Sequence, residues 1–379
     1  MLGSDRKILR SFDMLLVSLV LLVCVAVILA VALTSAGPVL AAVQNADEEG
    51  RRLLELANRS VNQDVFEGIF IYNALSMYSY EDHSIYPRWT VAAVHVWQNG
   101  SRYRMEALGH EGRRTAKTIV FDGENVWFEA TDGKWVKEVL FHPINAQAGF
   151  RRFGFGGWTL GAPDLLLENY TAKLVDTVYF GSRDAGVVEV RPREPGSQWK
   201  KMWIDRFTGQ PLREEIFDPW GEMVAISLLA EYVPGQGAAD TFFATPPESE
   251  VVKPESSDEP QPERIFTSLE EAQEAANGGI FAPKHIPAGY RLIAVRFSRP
   301  EVYELAYWNG LGLIRWVVQQ GRVTRPNKAA PPRFKPLDGS GRVWGNQSQD
   351  GSAIFQWEPG RLVTLSGPVD LELLVNMLH

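Results

Sequence analysis

Between residues 65 and 235 the chain is punctuated by Asn99-Gly100, Asp122-Gly123, Asp132-Gly133, Thr208-Gly209 and Asp218-Pro219-Trp220-Gly221, each set between segments that alternate apolar and polar side chains. Asn-Gly and Asp-Gly supply the positive φ that a tight hairpin requires, and period-two alternation suits a strand with one buried face. The segments FEGIFIYNALSMYS, WTVAAVHVWQNGSRYRMEAL, TIVFDGENVWFEAT and TDGKWVKEV therefore read as an antiparallel meander. After a Gly- and Pro-rich stretch the strands resume through AKLVDTVYF, AGVVEVRPR, WKKMWIDRFTG, PLREEIFDPWG and EMVAISLLAEYV. Two short helices accompany them. NADEEGRRLLELANRSV places Leu53, Leu54 and Ala57 on one face, with Asp47, Glu48 and Glu49 near the positive end of the helix dipole, and APDLLLENY starts with Asp164 as cap.

A first domain is expected over 47–235. Residues 236–264 follow as an acidic, Pro-rich linker with few apolar groups to bury. A smaller α+β domain is expected over 265–379. It opens with Ser268 and Glu271 as a capping box, continues through six strands from RLIAVRFS to RLVTLSG, and closes on a helix begun by Pro368.

Ahead of both lies MLLVSLVLLVCVAVILAVAL, residues 14–33, with Ser18 as its only polar side chain. Twenty residues at about 1.5 Å each match a hydrocarbon core of about 30 Å. Arg6, Lys7 and Arg10 precede the stretch and acids follow it, so residues 1–13 are expected in the cytoplasm and the body outside. Residues 14–35 read as a single transmembrane signal anchor. The alternative is a signal peptide cleaved after Ala36 or Ala41, leaving a secreted or periplasmic product. Cys24 reads as a small apolar residue of this stretch, since Val23 stands where a lipoprotein site needs a small residue.

Composition removes several classes of function. One Cys excludes a disulfide framework, a Cys-based zinc cluster and an iron–sulfur site. A net charge of −8 argues against nucleic acid. The six His have no metal-ligand spacing, and His95 reads as a structural side chain in a strand. GFGGWTLG, residues 154–161, lacks the Gly-Lys-Ser/Thr and the βαβ setting of a phosphate loop, so it reads as a surface loop. Asp205 and Asp218 stand at turns, where such side chains cap backbone. No catalytic residue, metal or cofactor is expected.

Eight of the twelve Trp fall at 89, 97, 127, 135, 158, 199, 203 and 220. A single antiparallel layer must either cover its inner face or leave a trough lined by large side chains. The expected lining of an apolar groove for a lipid or lipidated peptide is Phe70, Trp97, Trp127 and Trp203, set against ordinary core packing.

The order of one helix, a long strand, IVFDGENVWF and MWIDRFTGQPLREEIFDPWGEMV resembles the N-terminal domain of the periplasmic sigma-E regulatory proteins (RseB/MucB-like), whose fold is shared with the lipoprotein carrier LolA. The second part, from FAPKHIPAGYRL to the terminal helix, is similar to the smaller C-terminal domain of that family. The resemblance implies an α+β protein with an unclosed N-terminal β-barrel that holds an apolar ligand. It also implies a partner, the ectodomain of an anti-sigma factor. The expected function is an extracytoplasmic, membrane-anchored regulator of envelope-stress signalling that binds this partner and a lipid or lipoprotein acyl chain. The alternatives are a LolA-type carrier and an envelope hydrolase without a recognisable motif. The long N-terminal stretch and the acidic linker depart from the family pattern.

Overall fold

Every hairpin expected from a Gly-containing turn is built around a glycine in the left-handed region, as at Gly100 (φ 62°) and Gly123 (φ 103°). The computed structural model describes residues 45–60, 65–79, 85–109, 114–129, 133–138, 163–236, 238–244, 247, 264–276, 279–299, 301–321, 334–339, 342–348 and 351–378. The N-terminal stretch 14–33, the loop 154–161 and most of the acidic linker lie outside these residues.

The first chain half forms helix α1 (residues 45–60), strands β1 (Val65–Ser79), β2 (Ile85–Asn99), β3 (Arg102–Leu108), β4 (Arg114–Phe121), β5 (Val126–Glu129) and β6 (Trp135–Glu138), and helix α2 (Pro163–Asn169). Strands β7 (Tyr170–Phe180), β8 (Arg183–Pro192), β9 (Trp199–Asp205), β10 (Pro211–Phe217) and β11 (Met223–Pro234) follow. They make one open antiparallel sheet in the order β6-β5-β4-β3-β2-β1-β11-β10-β9-β8-β7. Two local meanders are thus joined where β1 pairs with β11. Within the stretch expected as linker, Asp240–Phe243 forms a 3-10 turn that docks on β3.

The second half forms β12 (Arg264–Phe266), α3 (Leu269–Ala275), β13 (Arg291–Arg299), β14 (Val302–Trp308), β15 (Leu313–Gln320), β16 (Lys335–Pro336), β17 (Val343–Ser348), β18 (Gly351–Glu358), β19 (Arg361–Gly367) and α4 (Leu371–Leu378). Its eight strands order as β12-β13-β14-β15-β19-β18-β17-β16. Ser268 caps α3 by accepting from Glu271 N at 3.2 Å, the contact its sequence spacing anticipates.

These observations correct the α+β expectation. Two large antiparallel sheets dominate and neither closes into a barrel, while α2, α3 and α4 are only seven, seven and eight residues long. The apolar residues that seemed to call for helical cover are spent mainly on alternating strand faces. The expected N-terminal transmembrane helix falls at residues 14–33, outside the described residues, and among the described residues no helix is long and apolar enough to cross a membrane.

The described residues from Gly50 onward belong to one compact unit. Where the two sheets meet, Asn169 Nδ2 donates to three carbonyls, those of Leu165 (3.0 Å), Gly289 (2.9 Å) and Asn309 (3.0 Å). Asn309 in turn donates to the Tyr170 hydroxyl at 3.0 Å, and Gln198 to the Leu311 carbonyl at 3.0 Å. The approach is possible because Gly310, at φ 100°, has no side chain: a Cβ there would lie 2.5 Å from Leu166 Cα.

Candidate functional site: the two faces of the large sheet

Directly paired residues of antiparallel strands share a face, so register alone decides which candidates can act together. Phe70 pairs with Val94 and with Leu229, and Val96 pairs with Met105, which pairs with Ile119. These belong to one buried apolar cluster with Phe66, Tyr103 and Phe121, whose described members are all strand residues. Farther along the same face Val188, Met202 and Ile204 are covered by Leu53, Leu54 and Ala57 of α1.

A polar group interrupts this face. Register sets Met202, Glu214, Ser227 and Tyr72 side by side across β9, β10, β11 and β1. Lys200 Nζ donates to Glu214 Oε1 at 2.9 Å, and both side chains are essentially inaccessible, at 0% and 1% exposure. Burial, with the Glu214 charge beside it, pushes the Tyr72 hydroxyl far above its ordinary value.

The opposite face carries a different row. Glu67, Trp97, Arg104, Val120, Trp127 and Lys137 are successive partners across β1 to β6. Of the four expected groove residues, Phe70 therefore lies with the apolar cluster, whereas Trp97 and Trp127 lie together on the other side. Trp97 stacks on His95 at 3.8 Å and meets Phe242 edge-on at 4.9 Å. Arg104 sits over the Phe242 ring at 4.7 Å, and Arg102 pairs with Asp240 at 2.7 Å, so the chain's own 3-10 turn covers Trp97. Trp127 donates to Asp122 at 3.1 Å. Trp203 is half-buried at the margin of the apolar cluster, with the Arg213 guanidinium 4.7 Å over its ring. Alternation could not reveal this division, because a one-residue shift exchanges the faces.

The other candidates resolve into local structure. His95 Nε2 lies 2.6 Å from Glu67 Oε1. Asp205 Oδ1 accepts from the backbone of Phe207 and Thr208, both at 2.9 Å, and Oδ2 from Arg183 at 2.8 Å. Burial works against its charge, but the Thr208 N–H, Arg183 and the Phe207 N–H outweigh that and hold its carboxyl below the usual range. Asp218 caps the far end of β10 through Trp220 N and Glu222 N, at 3.0 and 2.8 Å, so the two aspartates form no catalytic pair. Among the described residues no group of three His, Cys, Asp or Glu could hold a metal.

Sequence reasoning missed the sheet junction. A cleft of about 500 Å³ opens there, with Asn169, Arg193, Ser197, Tyr290, Asn309 and Leu373 in its wall. Just before α4, burial and the nearby charges of Glu372 and Asp218 hold the Asp370 carboxyl above its ordinary range. Only the Gly310 and Gly289 turns signalled a close approach, and a turn glycine does not say what approaches it.

This open eleven-stranded sheet followed by an eight-stranded one is similar in fold to the solved structures of MucB. MucB solved in complex with MucA(peri) aligns over 87% of this chain and 97% of its own, with 18% identity and a TM-score of 0.53. The MucA/MucB complex from Pseudomonas aeruginosa aligns over 87% and 96%, with 18% identity and a TM-score of 0.52. A LolA superfamily protein from Nitrosomonas europaea aligns over 52% of this chain with 13% identity and a TM-score of 0.26. No family model and no curated protein matches the sequence.

Proposed function

We propose that this protein is a non-enzymatic, extracytoplasmic regulator of sigma-factor signalling that binds the ectodomain of an anti-sigma factor and takes an acyl chain on the apolar face of its large sheet. The observation that carries the reading is the shared fold over nearly the whole length of MucB, in a structure solved together with the periplasmic part of MucA. The charge order around residues 14–33 supports export, either held at the cell membrane through that stretch or released into the periplasm after cleavage. The large apolar cluster around Phe70 and Met105 supports the acyl-chain surface.

Size-exclusion chromatography of the full chain with the ectodomain of an anti-sigma factor encoded beside a sigma factor in the same genome tests the partner. Co-elution and protection of that ectodomain from protease are expected; separate elution rejects the reading. A LolA-type carrier is the second reading, supported by the same apolar face. Sequencing the mature N-terminus tests the carrier, because a carrier must diffuse: a start at residue 1 or 2 rejects it, whereas a start near Ala42 is required by it and leaves the ectodomain experiment to decide.

A further inference from the structure

The turn Asp240–Phe243 has no stability of its own. A single 3-10 turn does not offset the cost of its nucleation, and Ala239 at its start has no side chain with which to cap it. Its shape is imposed by the sheet on which it lies. Phe243 is 2% exposed, and the Phe242 ring meets Trp97 at 4.9 Å and the Arg104 guanidinium at 4.7 Å. Arg102 lies 5.4 Å from the Phe243 ring and donates to Asp240 at 2.7 Å. The surface beneath is held in place by the strands themselves. Trp97 is stacked on His95, which lies 2.6 Å from Glu67, and Arg104 Nε donates to Glu106 at 2.9 Å, all of them residues of β1 to β3. The sheet therefore supplies a formed receptor, and the linker a short segment that takes its shape on docking.

We propose that Trp97, Arg102 and Arg104 form a docking surface for an acidic-aromatic segment of a partner protein, and that the turn Asp240–Phe243 occupies it until such a segment displaces it. The resident segment shows the chemistry that is read: a carboxylate two residues ahead of two adjacent aromatic rings. Arg102 takes the carboxylate, while Trp97 and the two guanidinium groups take the rings. A basic segment would set like charge against both arginines, and an aliphatic one would lose the cation–ring contacts. The resident contact can yield because its ion pair is open to water, with the Asp240 side chain 81% exposed. This surface lies on the face opposite the Phe70 cluster, so it stands apart from the acyl-chain reading.

A fluorescein-labelled peptide AADTFFA, copied from residues 238–244, tests this by anisotropy with the full chain. Phe242→Ser/Phe243→Ser detaches the turn and should bind the peptide roughly 10- to 100-fold more tightly than the native chain, whose tethered copy competes at an effective concentration on the order of millimolar. Adding Arg102→Glu to that variant, or placing Lys for Asp in the peptide, should abolish the gain. A double variant that binds no more tightly than the native chain overturns the proposal, because the turn then shields no site. A gain that survives Arg102→Glu overturns it as well, because the peptide then binds elsewhere. Where the double variant loses its near-UV circular dichroism, Asp240→Lys decides in its place. That substitution is on an exposed side chain and weakens only the resident ion pair, so it too should tighten peptide binding, and no gain there overturns the proposal.

Discussion

Leu374 and Met377 of α4 and Ala272 of α3 close the core of the small sheet over Tyr303, Trp316 and Leu365. On the large sheet the described members of the main apolar cluster are all strand residues. The first is a sheet with helices packed over its core. The second has a buried ion pair, Lys200–Glu214, set within its apolar face. Stability should therefore respond differently to substitution in the two places, and each of the following experiments puts that difference at risk.

The largest effect is expected from Lys200→Met alone. It strands the Glu214 carboxylate in the apolar face and should cost about 3–5 kcal/mol in urea unfolding, most of which Glu214→Leu in the same chain restores. A single substitution as mild as the double one would mean that the pair is wetter than its burial indicates. In the small sheet, Leu374→Ala should cost about 2–5 kcal/mol, and no acyl ligand should recover it, since that core is closed by the chain itself. Recovery by an acyl ligand would erase the distinction between the sheets.

At the junction, Asn169→Ala removes the two N–H donors of one amide, shared among three carbonyls, and should cost about 1–3 kcal/mol. Differential scanning calorimetry should then show the two sheets melting apart. A single unchanged transition would show that the apolar contacts there suffice.

The smallest effect depends on pH. Asp370 keeps its proton more firmly in the folded chain than in the unfolded one. The associated stability is complete below the unfolded carboxylate value of about 3.9 and is lost as pH rises through the raised folded value. Asp370→Asn cannot ionise, so it should melt above the native protein at pH 7, and the two melting curves should converge below about pH 4. A constant offset across pH would rule out titration of Asp370 as the cause.

Much of the strand order was legible because Asn99-Gly100, Asp122-Gly123 and Thr208-Gly209 encode local geometry within four residues. The Ser268 cap was legible for the same reason. The face of each Trp was not. Trp97 and Phe70 look alike in an alternating strand, and only their partners, Arg104 in one case and Val94 and Leu229 in the other, separate them. Phe242 was read as linker because its neighbours are acidic and Pro-rich, yet its ring contacts with Trp97 and Arg104 are made 138 residues or more along the chain. Glu214 carried no signal at all: in PLREEIF it is one of two adjacent acids, and its burial depends on a Lys from another strand.

The pairing of β1 with β11 has a kinetic consequence. Each of the other pairings in this sheet joins strands adjacent in sequence, but this one brings Tyr72 to Ser227. Loop closure over that separation is slow, and contacts of such high order set the pace of folding. The two meanders can form early and locally, whereas the seam between them must wait for β11. Until then β1 presents a free edge able to pair with the same strand of another chain. The arrival of β11 is therefore the step that commits the large sheet to its fold.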